Sequence, residues 1–189
     1  MARLLLEEET ILLAGQGAER FAVDRNAELR HRSRSEASSE VSTEARHDTV
    51  GCVALDASGR LACGTSTGGV EGQWAGRIGD SPLPGCGYFA DDRLGAVAAS
   101  GDGEKIARAL FAARIVQALP ERTPDGAIEA ALAEVARLNG EAGAIALDSG
   151  GRAGWSHNSR HFAVGMARAG GETPIVYLSK DEERVAENA

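Results

Sequence analysis

At Thr49 the chain changes character, and that change constrains the fold more than any other feature. From Asn26 to Asp48 the sequence is polar and rich in Ser, Glu and Arg, with Val41 as its single valine. A stretch of this composition buries too little apolar surface to offset chain entropy, so residues from about 26 to 48 are expected to form a mobile linker. Val50-Gly51-Cys52-Val53-Ala54-Leu55 then begins an apolar strand, and His47-Asp48-Thr49-Val50-Gly51 is the junction. A threonine at such a junction has two readings. It is an ordinary strand-entry residue, or a nucleophile that becomes an N-terminus once the bond before it is cut.

The segments behind Thr49 alternate between strand and turn signals. Val50–Leu55 and Leu61–Thr67 read as two strands joined at Asp56-Ala57-Ser58-Gly59, a good hairpin turn. Their near-continuous apolar character predicts strands covered on both faces. Gly68 to Asp92 is a glycine- and proline-rich excursion, too long for an idle connection and so expected to be functional. Leu94–Ala99 reads as a third strand. A helix from the Ser100–Glu104 turn to about Leu119 puts Ile106, Leu110, Phe111 and Ile115 on one side. Thr123 with Pro124 opens a second helix that runs to about Leu138. Gly143–Leu147 and Ala153–His157 flank Asp148-Ser149-Gly150-Gly151, repeating the Leu-Asp-x-x-Gly-Arg pattern of the first hairpin. Phe162–Ala167 and Ile175–Leu178 read as the last strands, with a solvated tail from Ser179. Ahead of the linker, Ala18–Ala22 suits one or two helical turns.

The totals exclude several classes of function. A chain of 189 residues suits one folded domain. A net charge of -8 argues against a nucleic-acid or anionic-membrane surface. No apolar run approaches the ~20 residues of a membrane span, and Met1 to Leu13 lacks the apolar stretch and cleavage site of a secretory signal. The three cysteines, Cys52, Cys63 and Cys86, have no metal-ligand spacing and an odd count, which points to a reducing, cytoplasmic setting. Cys52 and Cys63 are expected to be buried thiols within strands. There are 24 glycines, well above the average of about 7% of residues, which implies many tight turns and close backbone approaches.

Four motifs follow Thr49 in order: Thr65-Ser66-Thr67-Gly68-Gly69; Gly76-Arg77-Ile78-Gly79-Asp80-Ser81-Pro82; Gly85-Cys86-Gly87-Tyr88-Phe89-Ala90-Asp91; and Ser100-Gly101-Asp102-Gly103-Glu104. Together they resemble the β-subunit of the plant-type L-asparaginase and isoaspartyl aminopeptidase family, N-terminal-nucleophile hydrolases that include the glycosylasparaginases. The resemblance covers nearly all of Thr49 to Ala167, and Met1 to Ala22 resembles a later part of the family's α-subunit. It implies an α+β fold, a four-layer αββα sandwich, here without the first part of the α-subunit. Residues 1–48 would then be the end of an α-subunit with its linker, and residues 49–189 the β-subunit.

The chemistry implied by that resemblance suits the residue types. Cleavage between Asp48 and Thr49 gives Thr49 both a hydroxyl and an α-amine, which titrates near ~7.7–8 and so supplies a base within one residue of the nucleophile. Thr67 corresponds to a second hydroxyl that orients the first. Ser100, where the family usually has threonine, and the Gly101 N–H fall at its oxyanion hole, whose donors are worth ~2.7–4 kcal/mol each. Asp102 replaces an uncharged residue and is expected to point away. Arg77 and Asp80 form the implied substrate clamp, the guanidinium for an α-carboxylate and the carboxylate for an α-ammonium. Gly79 and Gly103 let backbone approach the ligand. On the residues alone, an Arg77–Asp80 ion pair stiffening a loop stays open beside the clamp.

The resemblance therefore implies a self-cleaving amidohydrolase acting on L-asparagine and β-aspartyl dipeptides through a Thr49 ester. It implies a homodimer of cleaved αβ units, with no nucleic-acid or membrane partner and no cofactor or catalytic metal. The family's structural alkali cation sits in a loop outside this sequence. A glycosylasparaginase is the alternative within the family, and an uncleaved inactive remnant or binding module is the alternative of another class. His157 and His161 read as structural histidines, and Asp91, Asp92 and Asp148 as turn residues rather than metal ligands.

Overall fold

The computed structural model describes residues 2–27, 49–74, 76–171 and 173–187. Asp48, His47 and most of the expected linker lie outside the described residues. The chain divides into two compact units, Met1–Arg46 and His47–Ala189. The first holds α1 (Ala2–Leu5) and α2 (Gly15–Asp24). Within it Arg25 pairs with Glu8 and lies over the Phe21 ring.

The second unit carries all the strands among the described residues. β1 (Thr49–Leu55) and β2 (Leu61–Thr67) form an antiparallel hairpin in which Thr49 stands opposite Thr67 and Leu55 opposite Leu61. Its turn is pinned by Asp56, whose Oδ1 accepts the N–H groups of Ser58 at 2.8 Å and Arg60 at 2.9 Å. The Ser58 hydroxyl and those N–H groups hold the Asp56 carboxyl down to about 2. The later turn repeats the arrangement: Asp148 accepts from the N–H groups of Gly150 and Arg152, both at 2.9 Å, and from the Arg152 side chain. The repeated sequence pattern is thus a repeated hydrogen-bond pattern.

A four-stranded antiparallel sheet comprises β3 (Tyr88–Asp91), β4 (Gly95–Gly101), β5 (Ala142–Asp148) and β6 (Ala153–His157), in that spatial order. Its helical face is covered by α3 (Gly103–Ala109), α4 (Phe111–Ala118) and α5 (Pro124–Arg137). Val97, Ala99, Ile106, Phe111, Ile115, Ile128, Val135 and Ala144 are buried together there. Period-two alternation turns Ala96, Ala98 and Ser100 to the other face, where the hairpin packs so closely that a Cβ on Gly51 would lie 2.8 Å from the Ala98 Cβ. β7 (Val164–Met166) and β8 (Ile175–Tyr177) form a separate two-stranded sheet, followed by α6 (Lys180–Glu187). Hairpin, sheet and helices make the unit α+β. No helix among the described residues is long and apolar enough to cross a membrane.

Several expectations need correction. The hairpin is not covered on both faces: Val50 is 68% exposed and Cys52 is exposed, because alternation turns them away from the sheet. The helix expected after the Ser100–Glu104 turn, to about Leu119, breaks at Leu110, which adopts the left-handed conformation with φ 49° and separates α3 from α4. β3 lies within the excursion that reads as loop from its glycines and prolines, because Gly85 and Gly87 only introduce a short strand. The tail expected to be solvated forms α6, tied down by Lys180, which donates to Asp125 at 2.5 Å, and by Glu183, which accepts the Trp155 Nε1–H at 2.8 Å. Thr123 does cap α5, its hydroxyl accepting the Gly126 N–H at 3.2 Å.

Candidate active site

Thr49 and Thr67 meet because the hairpin register places them opposite each other with side chains on the sheet-facing side. The Thr49 hydroxyl donates to Thr67 Oγ1 at 3.0 Å, and the Gly69 N–H donates to the same oxygen at 3.1 Å. Gly69 has φ 91°, a conformation that favours glycine, and a Cβ there would also displace the Gln73 amide, 2.4 Å away.

The excursion after β2 is anchored beside these hydroxyls. Thr65, on the same face of β2 as Thr67, donates its hydroxyl to the Ser81 carbonyl at 2.7 Å. The preceding residue, Asp80, has a carbonyl that accepts from Leu83 at 2.9 Å and Gly87 at 3.2 Å. Its side chain is buried, and Oδ2 makes no hydrogen bond within the described residues. Burial pushes the Asp80 carboxyl above its ordinary range, against the opposing pull of nearby backbone N–H groups and the Arg77 charge.

The turn after β4 meets the same loop. A Cβ on Gly103 would fall 2.8 Å from Asp80 Oδ1 and 3.0 Å from Arg77 Nη2; one on Gly79 would fall 3.0 Å from Arg77 Nη1. The guanidinium is thus walled by two glycines. Ser100 is half-buried on the hairpin-facing side of β4. Ladder alternation also gives Gly101 a direction. Asp102 N–H bonds the Glu141 carbonyl on the β5 side, and Ala99 N–H bonds the Gly87 carbonyl on the β3 side. The Gly101 N–H therefore points to the β3 side, beyond the end of β3 at Tyr88, which pairs with Ala98. Asp102 turns to the opposite side, its carboxylate accepting the Glu141 N–H at 2.9 Å.

Glu104 was not singled out by the sequence reading. Its carboxylate, not that of Asp80, takes Arg77: Nε donates to Oε1 and Nη2 to Oε2, both at 2.8 Å. This two-pronged bond lowers the Glu104 carboxyl and raises the Arg77 guanidinium further. Its one sequence signal is a carboxylate placed directly after the glycine turn. Gln73 is a smaller omission, with Oε1 accepting the Val70 N–H at 3.2 Å and Arg77 Nη1 at 3.4 Å. His157 lies elsewhere, in a three-ring cluster with Trp155 and Phe162 whose centroids are 5.6–6.4 Å apart, with Nδ1 2.9 Å from the Ser159 carbonyl. Among the described residues no group of His, Cys, Asp and Glu side chains is disposed to hold a metal ion.

Two paired hydroxyls on a hairpin, with an arginine and a buried aspartate held at the same end of the packed sheets, define an α+β chain with one composite polar site. The family model described as Asparaginase matches residues 24–176, and the chain belongs to that family. Among its relatives, the plant-type L-asparaginase of Pyrobaculum calidifontis is 46% identical over 127 residues, covering 65% of this chain and 42% of that protein. The isoaspartyl peptidase of Escherichia coli is 34% identical over 210 residues, covering 96% of this chain and 64% of that protein. The N(4)-(beta-N-acetylglucosaminyl)-L-asparaginase of Mus musculus is 52% identical, but over 64 residues, 34% of this chain and 18% of that protein. The chain spans about two fifths of the length of several curated relatives that it matches.

Proposed function

We propose that the chain is a self-cleaving amidohydrolase that releases L-aspartate from L-asparagine and β-aspartyl dipeptides. The observation that carries this reading is the 3.0 Å contact between Thr49 and Thr67, with the second hydroxyl itself fixed by Gly69. In the proposed processing, the Thr49 hydroxyl attacks the Asp48 carbonyl, the peptide bond becomes an ester, and water hydrolyses it to leave Thr49 with a free α-amine. In turnover that amine takes the hydroxyl proton as Oγ1 attacks the side-chain amide carbonyl. The proton passes to the departing ammonia or amino acid, and a β-aspartyl ester remains on Thr49. Water, deprotonated by the same amine, then releases aspartate and restores the hydroxyl. Ser100 and the Gly101 N–H stabilise the oxyanion of each step.

Arg77 and Asp80 select the ligand. The guanidinium takes the α-carboxylate, and the Asp80 carboxylate, with one oxygen unbonded, takes the α-ammonium. Burial makes an unpaired carboxylate there costly, so a cation that completes its bonding is strongly favoured. The same reading includes a second helical layer over the exposed face of the β1–β2 hairpin, and a homodimer of cleaved αβ units in the cytoplasm. Nucleophile and base both come from Thr49, so the reaction as written draws on no metal or cofactor.

Two measurements test the reading. On denaturing gels the purified protein should convert to two bands, one with Thr49 as its N-terminal residue. It should then turn over asparagine and β-aspartyl-leucine in preference to glucosaminyl-asparagine. A single full-length band after prolonged incubation, with no aspartate released, would favour an uncleaved remnant.

A further inference from the structure

A guanidinium has two edges able to grip a carboxylate, and Glu104 takes only one of those on Arg77. The Nε–Nη2 edge faces Glu104, so the Nη1–Nη2 edge is directed elsewhere. That second edge lies against the backbone of Gly79 and Gly103, with a long 3.4 Å contact from Nη1 to Gln73 Oε1 at its outer end, and Gly103 also abuts Asp80 Oδ1. The second edge of Arg77 and the Asp80 carboxylate therefore border the same small gap. Within this group Glu104 stands at the solvent side, its side chain 62% exposed, whereas that of Arg77 is 17% exposed.

Asp80 is the natural competitor for Arg77. It is buried, Oδ2 has no partner among the described residues, and it is near enough for the guanidinium charge to act on it. Collapse of Arg77 onto Asp80 would satisfy both groups, and would fill the gap that a ligand's two charged groups need. Glu104 opposes that collapse by offering a bidentate partner from the opposite side. Resting on the function proposed above, we infer that Glu104 is a positioning residue. It holds Arg77 apart from Asp80 and turns the Nη1–Nη2 edge toward the α-carboxylate of the ligand.

The test is calorimetric binding of L-aspartate to the full chain, with Glu104→Ala, Glu104→Gln, Arg77→Ala and the Arg77→Ala/Glu104→Ala pair. A hydrogen bond to a charged group is worth enough for Glu104→Ala to weaken binding by about 10-fold or more. Glu104→Gln, which keeps the size and one acceptor, should lose less. The double variant should bind no worse than Arg77→Ala alone, because Glu104 acts only through Arg77. In turnover, KM rises with little change in kcat, and cleavage before Thr49 continues. Unchanged binding in Glu104→Ala, or losses that add in the double variant, would overturn this inference alone. A wild type that takes up no L-aspartate would overturn the parent reading and this one with it.

Discussion

The hydroxyls of Thr49 and Thr67 stand 3.0 Å apart although 18 residues separate them in sequence. Their meeting is a matter of register. The Asp56 turn closes the hairpin so that Leu55 pairs with Leu61, and every pair from there outward is fixed, ending with Thr49 opposite Thr67. A slip of one residue would turn one of the two hydroxyls to the other face. The turn at one end of the hairpin thus sets the geometry of the site at the other.

Thr67→Ala removes the acceptor for Thr49 and leaves the Gly69 N–H without its partner. Turnover should fall by about 10- to 100-fold, the range for losing a hydrogen bond to a group that carries charge in the transition state. Thr67→Ser keeps the hydroxyl and should recover most of the rate. Steady-state release of aspartate from asparagine reads both. Equal rates for Thr67→Ala and wild type would remove Thr67 from the mechanism.

Gly103→Ala should abolish ligand affinity while sparing cleavage before Thr49. The new methyl group would sit 2.8 Å from Asp80 Oδ1 and 3.0 Å from Arg77 Nη2, distances that force both side chains to move. Gly64→Ala is the control, since a Cβ there meets nothing within 4 Å and the backbone is already extended in β2. Calorimetry with L-aspartate and a denaturing gel distinguish the two effects. Failure of both variants to cleave would point to a folding defect instead of a clamp defect.

The parts of this chain legible in sequence are those where local chemistry dictates geometry. Asp56 and Asp148 each announce a turn because an aspartate accepts N–H groups two and four residues on, whatever the rest of the fold does. Thr123 with Pro124 announces α5 for a similar reason. Leu110 gives no such warning. Its side chain continues a good helical stripe, and no turn residue marks the left-handed break between α3 and α4. The exposed face of β1 is also hidden in the sequence, since an apolar run does not say how many layers cover it. Within the site, Arg77 and Asp80 are visible as a pair of charges in a glycine-rich loop. The partner Arg77 takes is Glu104, 27 residues away, and no spacing rule foretells that choice. Tertiary placement of α3 decides it.

Leu110 is a leucine at φ 49°, a conformation that crowds its Cβ against the backbone. It is also 54% exposed, so shortening the side chain loses little burial. Leu110→Asn, which tolerates the left-handed region better, should raise stability by about 0.5–1 kcal/mol. Denaturant midpoints at an unchanged slope would register the gain. A fall of similar size would mean that the leucine side chain packs more productively than its exposure suggests.

Asp80 gives the protein a pH dependence whose sign differs from that of an ordinary salt-bridged aspartate. Burial raises its carboxyl above the usual range in the folded chain, whereas in the unfolded chain it titrates near ~3.9. Between those two values the folded state holds the proton more tightly than the unfolded state. By linkage, this contribution to stability is fully present below the unfolded value and is lost as pH rises through the folded one. Asp80→Asn should therefore flatten the decline in stability on going from about pH 4 to neutrality. It should also stabilise the ligand-free protein near pH 7 by about 1 kcal/mol, since a buried charge with an unbonded oxygen is removed. Ligand affinity should follow the opposite course: the α-ammonium needs Asp80 ionised, so L-aspartate binding weakens on acidification through the same carboxyl and is lost in Asp80→Asn. Thermal melts and calorimetry across that pH range read the two trends in the same samples. Parallel stability curves for wild type and Asp80→Asn would mean that the carboxyl titrates normally, and would take away the electrostatic reason for an ammonium to dock there.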